Sequence, residues 1–223
     1  VPLQVYNTLQ IAAERERLCR TDILIIGGGA IDAGLEAEIR QLPGEVYSTY
    51  GMTETLSHIA LRRLNGPDAS TLYYPFPSVR LSLSPEHTLI IDAPLVCDTI
   101  LVTNDVAEIN SDGSFSILGR KDNAINTGGI KVQAEQVEDI LRPWIHVPFA
   151  VTSVSDAALG EAVVLLIENG GYTERLEEKM KELLTKYQLP KMVFSVGAIP
   201  LTETGKINRA GCRQLAATYQ VGR

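Results

Sequence analysis

The order of apolar and polar residues over the first fifty positions predicts a strand, a glycine turn and a helix. The run DILII at 22–26 leads into three glycines, and beyond them Leu35, Ile39 and Leu42 recur at the spacing of one helical face. The β-prone run EVYST follows at 45–49. Because strands that alternate with helices usually pair in parallel, this portion is predicted to be a slice of a wound α/β layer with a parallel sheet.

From about residue 72, the pattern changes to short alternating runs separated by turn residues. The runs are VRLSLS, TLIIDAP, TILVTND and AEINSDGSFSILG. In the last of them, Asp112-Gly113 is typical of a hairpin turn. We therefore predict a small antiparallel sheet or β-barrel subdomain here, and we assign 1–118 to a partial α/β layer with this subdomain.

The last segment, 119–223, returns to mixed helices and strands and is interpreted as a separate small α+β domain. We expect strands near 147–154 and 161–167, and a charged helix from about 174 to 187. An earlier helix turns Val137, Ile140 and Leu141 inward. The apolar stripe of the charged helix comprises Leu176, Met180, Leu183, Leu184 and Tyr187. A terminal helix is expected after the stretch PLTETGKINR.

Composition narrows the classes of function. With 20 Lys and Arg against 27 Asp and Glu, the net charge of -7 provides no basic field for nucleic acid or an anionic membrane. Cys19, Cys97 and Cys212 are widely spaced, which argues against a disulfide framework or a zinc site and suits a reducing compartment. No apolar run approaches the roughly 20 residues that span a bilayer. We expect a soluble cytoplasmic protein.

The stretch STYGMTET at 48–55 combines an aromatic ring, hydroxyls and a carboxylate around Gly51 at the end of a predicted strand. Tyr50 could stack on a purine, Thr53 could bond a phosphate oxygen, and Glu54 could bind magnesium through oxygen. The alternative is a strand end followed by a helix that Thr53 or Thr55 caps.

Two further clusters have both a ligand-binding and a purely structural interpretation. Asp105 and Arg120 could bond the hydroxyls of a ribose, and Gly128-Gly129 would let backbone approach a ligand. The alternatives are a surface salt bridge and a hairpin turn. The triple glycine at 27–29 lacks a dinucleotide-binding register, so a tight strand-to-helix connection is its simplest explanation.

Five ordered motifs change this balance. GGGA, STYGMTET, TND, GRKDNAINTGGIKVQAEQVE and PLTETGKINR together resemble the second half of the adenylate-forming acyl-CoA ligases, the superfamily that includes firefly luciferase and the adenylation domains of peptide synthetases. Within it, YGMTETLSHIALRRLNG is most similar to o-succinylbenzoate-CoA ligases of the menaquinone pathway. The resemblance implies an acid-thiol ligase that uses ATP, Mg²⁺ and CoA and a small carboxylic acid substrate.

The resemblance also implies a role for each matching residue. Tyr50 would stack on adenine beside Gly51, Thr53 would contact the α-phosphate, Glu54 would bind magnesium, and Lys206 would enter the active site during adenylation. The remaining roles are the border of the adenine and acyl pocket (Gly28, Gly29, Ala30), the ribose contacts (Asp105, Arg120), the domain hinge (Asp122) and the passage for the pantetheine arm (Gly128, Gly129). Ser57 and His58 would face the acyl pocket, or His58 has a packing role.

One functional motif of the family is absent from the sequence, and another is altered. No Ser/Thr/Gly-rich loop ending in lysine is present to wrap the β- and γ-phosphates, and TGD reads TND. We therefore expect a C-terminal portion of a longer enzyme, inactive by itself and partly unstable, whose partner is the upstream part of the same enzyme. Two alternatives stay open: an amino-acid-activating domain that serves a carrier protein, and a non-catalytic binding module. The sequence predicts no oligomeric state.

Overall fold

The computed structural model of the protein describes residues 1–29, 31, 33–203 and 205–221. The chain divides into two compact units, Val1–Ile117 and Leu118–Arg223. Each unit has its own hydrophobic clusters. In the described ranges, no helix is both long enough and apolar enough to cross a membrane.

The first unit contains three helices and two sheets. Its helices are α1 (Pro2–Leu9), α2 (Ala12–Leu18) and α3 (Ala33–Ile39). The first sheet has the order β1 (Ile23–Ile26), β2 (Glu45–Gly51), β3 (His58–Arg63) and β4 (Tyr74–Pro75). The second sheet has the order β5 (Arg80–Leu83), β6 (Thr88–Asp92), β7 (Leu101–Ile109) and β8 (Phe115–Arg120), and β8 continues past the boundary between the units.

The first sheet is mixed: its first pair is parallel, as predicted for the first fifty residues, and the two later pairs are antiparallel. β1 and β2 are parallel, as the connection through α3 requires. β2 and β3 are antiparallel. A parallel neighbour needs a crossover of a dozen or more residues, whereas only residues 52–57 separate β2 from β3. The chain therefore turns back directly.

The second sheet is open, which corrects the expectation of a β-barrel. β5, β6 and β7 pair in antiparallel order, and β8 follows β7. β5 and β8 end this strand order, and Phe115 of β8 also forms an isolated antiparallel bridge with Tyr73. Four strands are fewer than the roughly five of a small, partly open barrel. Its core still buries Leu89, Ile91 and Phe115 almost completely.

The second unit places helices on both faces of a five-stranded sheet. The strands are β9 (Ala124–Thr127), β10 (Ile130–Gln133), β11 (Phe149–Asp156), β12 (Gly160–Glu168) and β13 (Met192–Val196). The helices are α4 (Ala134–Leu141), α5 (Glu174–Leu183) and α6 (Arg209–Val221). The sheet order is β10-β9-β12-β11, and β13 also pairs with β12. The predicted α/β and α+β class is confirmed.

The central strand β12 explains the apolar run that predicted it. Val163, Leu165 and Ile167 pack in the cluster that contains residues of α4 and α5. Val164 and Leu166 pack in the opposite cluster with Cys212 and Ala216 of α6. A strand covered on both faces shows a continuous apolar run instead of alternation.

Helix α5 is shorter than predicted. Thr173 begins it, because its Oγ1 accepts a hydrogen bond from the Leu176 amide at 3.2 Å. The helix ends at Leu183, and Leu184 has extended backbone. Thr185 then starts a separate turn, which the Gln188 side chain closes. Consequently Leu176, Met180 and Leu184 are buried as expected, whereas Leu183 and Tyr187 are exposed.

Candidate functional site

Tyr50 lies at an irregularity of β2, where the register with β3 shifts between Tyr50 and Gly51. Its ring meets the Phe115 ring edge-on at a centroid distance of 5.4 Å and the Tyr73 ring at 6.0 Å. Phe115 is fully buried, while Tyr50 is half-buried. The aromatic neighbours fix the orientation of the ring and leave part of it accessible.

Asp105 comes from the other sheet and meets Tyr50 directly. The Tyr50 hydroxyl donates a hydrogen bond to Asp105 Oδ2 at 2.6 Å, although the two residues are 55 positions apart. A hydroxyl bonded to a carboxylate at this distance is a strong, charge-assisted contact. The two motifs STYGMTET and TND, which were predicted to bind adenosine, are therefore in contact within the first unit.

A β-bulge in β7 sets the position of Asp105. The register between β6 and β7 shifts between Thr88 and Ile90. In the bulged segment, Thr103 Oγ1 accepts from the Asp105 amide at 3.1 Å and donates to the Leu89 carbonyl at 2.9 Å. Bulges commonly redirect a side chain beside a functional site. Buried Thr103 thus fixes the backbone that directs Asp105.

Thr53, Thr55 and Glu54 form a short 3₁₀ turn with unequal roles. Thr55 is buried, and its Oγ1 accepts from the Met52 amide at 3.1 Å and lies 3.0 Å from the Ser57 carbonyl. Thr55 therefore closes this short turn, and strand β3 follows it instead of the helix that Thr53 or Thr55 was expected to cap. Thr53 and Glu54 are exposed. The Thr53 hydroxyl can donate a hydrogen bond to a phosphate oxygen. The Glu54 carboxylate can supply an oxygen ligand to magnesium.

Gly51 has a packing reason in addition to its predicted place beside adenine. A Cβ at this position would lie 2.0 Å from the Ser57 carbonyl oxygen and 2.7 Å from the His58 Cα. The chain returns from the 3₁₀ turn directly against the Gly51 backbone. A side chain here would force the whole turn outward.

We predict that Gly51→Ala destabilises the first unit by about 1–3 kcal/mol, because the clashing atoms belong to rigid backbone. Urea unfolding followed by circular dichroism measures this change. Gly113→Ala is a comparison for strain alone, because Gly113 has φ 84° and no atom within 4 Å of an added Cβ. Equal stability of the Gly51 variant and the unmodified chain would contradict the packing role.

Ser57 and His58 follow the turn. Ser57 Oγ and His58 Nδ1 are 2.8 Å apart, at hydrogen-bonding distance. The His58 ring meets the Phe76 ring at 5.7 Å. This contact supports the packing role of His58, which was the alternative to a place in an acyl pocket.

The glycine turn after β1 contains the predicted pocket residues Gly28 and Gly29. Gly28 has a φ of 83°, a conformation that favours glycine. At Gly27, an added Cβ would lie 2.8 Å from Thr49 Oγ1. The turn therefore packs closely against β2. Ala30 lies outside the described residues, as does Thr204 of the last motif.

In the second unit, Arg120 and Asp122 form an exposed ion pair with an N–O distance of 3.1 Å. Both side chains are about half exposed. Arg120 is the last residue of β8, and Asp122 lies within Lys121–Asn123, a 3₁₀ turn between β8 and β9. Asp122, the predicted hinge residue, therefore lies in a short connection and not inside a strand or helix.

Gly128 and Gly129 form the two-residue turn of the β9–β10 hairpin. Thr127 and Ile130 pair across it, and both glycines have positive φ, 60° and 82°. This geometry favours glycine at both positions, as the hairpin alternative anticipated. Nothing lies within 4 Å of an added Cβ at Gly129, so its backbone is open to a ligand. Both interpretations are compatible here.

Lys206 lies on a compact loop that its own backbone closes. The Thr202 amide donates to the Lys206 carbonyl at 2.7 Å, and the Gly205 amide donates to the Thr202 carbonyl at 2.9 Å. Leu201 and Ile207 form a single bridge at the base of the loop. Lys206 itself is exposed. The loop thus presents the ammonium group to solvent from a defined backbone.

The buried ion pair between Arg209, just after this loop, and Glu138 was not predicted from the sequence. Arg209 binds Glu138 through two hydrogen bonds of 2.6 and 2.8 Å, and Glu138 also accepts from the Val151 amide at 2.8 Å. The Glu138 side chain is only 3% exposed. A signal was present, because Glu138 shares the buried face of α4 with Val137 and Leu141.

Burial and charge act in opposite directions on Arg209. Burial disfavours its charged form, but the hydrogen bonds and charge of Glu138, with the charge of Glu135, outweigh this effect and raise the pKa of Arg209 above its ordinary value. Nearby, burial raises the pKa of the Cys212 thiol to about 11. Cys212 therefore stays protonated at neutral pH and serves as a small core residue.

The described part of the chain contains no cluster of three or more His, Cys, Asp or Glu side chains that could hold a metal ion. Magnesium bound to a nucleotide usually takes one or two protein carboxylates and completes its shell with phosphates and water. The exposed carboxylate of Glu54 fits that chemistry.

The chain is similar to several known proteins over most of its length. It is 26% identical over 204 residues to the 2-succinylbenzoate–CoA ligase of Lactococcus lactis, and the match covers 84% of this chain and 45% of that ligase. It thus spans about half the length of this relative. No protein-family model matches the chain.

Solved structures show the same relationship. An acyl-CoA synthetase/AMP-acid ligase II-like protein from Dyadobacter fermentans is 32% identical, with a TM-score of 0.55 and coverage of 97% of this chain and 64% of that one. The o-succinylbenzoate coenzyme A synthetase of Bacillus subtilis, in complex with ATP and magnesium ion, is 19% identical with a TM-score of 0.69. That match covers 94% of this chain and 54% of the Bacillus chain.

By sequence and by fold, the chain is related to the adenylate-forming acyl-CoA ligases, with 2-succinylbenzoate–CoA ligases among its homologues.

Proposed function

We propose that the chain is the C-terminal portion of an ATP-dependent acid–CoA ligase, with 2-succinylbenzoate (o-succinylbenzoate) as its acid. The Tyr50–Asp105 hydrogen bond of 2.6 Å carries the proposal for the nucleotide site, because it joins two motifs from different sheets. The similarity to 2-succinylbenzoate–CoA ligases supports the substrate. A cytoplasmic location, in a reducing compartment, belongs to the same proposal.

The reaction begins with adenylation. An oxygen of the substrate carboxylate attacks the α-phosphorus of ATP, a new P–O bond forms, and the bond to pyrophosphate breaks. Negative charge develops on oxygens in a confined site, where a fixed cation stabilises it far more than in water. Lys206 supplies this cation, and Thr53 donates its hydroxyl to the α-phosphate. Magnesium, when bound by Glu54, neutralises further phosphate charge.

The nucleoside is held by groups that differ in chemistry. Tyr50 offers an aromatic face to the adenine, with the glycine turn at 28–29 beside it. Asp105 accepts from a ribose hydroxyl, a role that the family resemblance also implies for Arg120. The Tyr50 hydroxyl holds one carboxylate oxygen of Asp105, which orients the carboxylate before ATP binds.

Thioester formation follows. The sulfur of CoA attacks the acyl carbon of the adenylate, a C–S bond forms, AMP leaves with the electrons of the broken C–O bond, and the thiol proton passes to solvent. The open backbone at Gly129 supports a passage for the pantetheine arm beside the β9–β10 turn. Rotation about Asp122 withdraws Lys206 after adenylation and brings this passage to the acyl adenylate.

Pyrophosphate release by the full-length protein tests the proposal. We expect release from ATP and magnesium to be fastest with 2-succinylbenzoate in a panel of aromatic acids, aliphatic acids and amino acids, and a CoA thioester to form when CoA is added. Release with another acid would keep the mechanism and discard the substrate. No release with any acid would contradict the proposed activity and favour a binding role.

The 223-residue chain by itself provides the matched comparison. It is expected to release no pyrophosphate, because it contains no Ser/Thr/Gly-rich loop ending in lysine for the β- and γ-phosphates. Addition of the upstream segment is expected to restore the activity. A normal rate from the 223 residues alone would show that the missing loop is not required.

A further inference from the structure

Helix α4 carries two carboxylates on one face, and each holds a different functional segment of the second unit. Residues three apart on a helix are neighbours, so Glu135 and Glu138 point the same way. Glu138 binds Arg209, the residue that begins α6 directly after the Lys206 loop. Glu135 Oε1 accepts a hydrogen bond from Asn123 Nδ2 at 2.5 Å.

Glu135 also contacts Arg209, which follows the Lys206 loop. Its Oε1 lies 3.4 Å from Arg209 Nη2. One carboxylate oxygen therefore touches both Asn123, the neighbour of the proposed hinge residue Asp122, and Arg209. The Glu135 and Arg209 side chains are 24% and 23% exposed, so solvent screens this contact only in part.

Glu135 lies in an energetically unfavourable environment, because buried acceptor oxygens there lack hydrogen-bond donors among the described residues. Glu135 Oε2 and Gln133 Oε1 are buried and have no hydrogen-bond partner in the described portion of the chain. A Cβ at Gly119 would lie 2.6 Å from Glu135 Oε2, and Gly119 has φ 149°. The carboxylate thus occupies space that only a glycine leaves open. Unsatisfied buried acceptors are costly and rare in native structures, and a functional role is one explanation for them.

We infer that Glu135 is a positioning residue that couples the hinge segment Lys121–Asn123 to the Lys206 loop through Asn123 and Arg209. Rotation at the hinge then moves the loop together with α4, and Lys206 arrives in one defined place. Without this link, the loop still forms through its own hydrogen bonds and Arg209 still binds Glu138, but Asn123 no longer bonds to a carboxylate that Arg209 also contacts. The inference rests on the proposed function.

Half-reaction rates of the full-length enzyme test this coupling. Glu135→Ala is expected to slow pyrophosphate release about tenfold and to leave the conversion of supplied acyl adenylate to thioester unchanged. Asn123→Ala is expected to do the same. Glu177→Ala is the matched control, because Glu177 also binds a cation and a polar group in this unit, Lys181 and Tyr172, and is expected to have no effect.

A double-mutant cycle separates coupling through Lys206 from general destabilisation. In a Lys206→Ala background, Glu135→Ala is expected to cause no further loss of adenylation, because the group that it positions is already absent. If the double variant slowed adenylation by the product of the two single-variant factors, the inference would be overturned. An equal loss in both half-reactions, or adenylation at the unmodified rate in both Glu135→Ala and Asn123→Ala, would overturn it as well.

Limited trypsin digestion gives a readout that needs no activity. Cleavage after Lys206 releases a fragment that begins at Ile207 and is identified by its mass. Glu135→Ala is expected to accelerate this cleavage several-fold in the full-length enzyme, and Glu177→Ala is not. An unchanged rate would overturn the inference alone, whereas absence of pyrophosphate release from the unmodified full-length enzyme would overturn the proposed function and its mechanistic consequence together.

Discussion

Lys206→Ala in a full-length ligase that contains this chain is expected to slow adenylation by about 10²–10³-fold. The ammonium group stabilises charge that develops only while pyrophosphate leaves, so its removal raises the barrier of that step without a comparable loss of ATP binding. Conversion of supplied acyl adenylate and CoA to thioester is expected to stay largely intact. The loop itself is retained, because backbone groups and Thr202 close it.

Single-turnover measurements of both half-reactions check this result. Lys181→Ala is a matched control, because it removes an exposed lysine from the same unit. Its two half-reactions are expected to match those of the unmodified enzyme. Lys206→Arg is expected to recover only part of the adenylation rate, since it keeps the charge but changes the shape of the donor. Equal losses in both half-reactions of Lys206→Ala would refute the exchange of Lys206 for the thiol passage.

Arg209→Ala is expected to lower the free energy of unfolding of the second unit by about 3–5 kcal/mol. The substitution leaves Glu138 buried without its cation, and only the Val151 amide still binds its carboxylate. Removal of one partner of a buried ion pair strongly lowers the free energy of unfolding. Replacement of both partners by apolar residues often changes it little. The free energy of unfolding of Arg209→Lys is expected to lie between those of the unmodified chain and Arg209→Ala, because lysine keeps the charge and loses one of two parallel hydrogen bonds.

Trp144 makes this measurement specific to one unit. It is the only tryptophan of the chain and packs against the cluster between the sheet and helices α4 and α5. Urea unfolding followed by tryptophan fluorescence therefore reports on the second unit. Lys181→Ala, which breaks an exposed pair with Glu177, is expected to change stability by less than about 1 kcal/mol. A similar small change for Arg209→Ala would mean that Glu138 is not held as a buried charge.

The fold was most predictable where burial leaves a simple pattern. The apolar run of β12 predicted a strand because both of its faces are covered. The pairing direction of β2 and β3 was not predicted, since it depends on the length of the connection. The end of α5 was also missed, because the side chain of Gln188 competes for the Thr185 backbone and hydroxyl and ends the periodic pattern early.

For the candidate site, sequence patterns identified residues but not their contacts. Tyr50 and Asp105 were assigned separately to adenine and ribose. Their hydrogen bond depends on two register shifts, one in each sheet, and no local pattern encodes pairing across strands. Arg209 was read as the end of a motif. Its pairing with Glu138 bridges 71 positions and became evident only when α4 and α6 were placed in the fold.

In the described part of the Lys206 loop, hydrogen bonds join Thr202 to Gly205 and Lys206, and the Asn208 amide to the Pro200 carbonyl. The two strands β11 and β12, in contrast, pair over eight positions and are buried on both sides. Local opening of the loop therefore requires little free energy, while opening of the hairpin approaches the cost of unfolding the whole unit. The second unit can consequently release and re-form its cation-bearing segment many times without any loss of its tertiary structure.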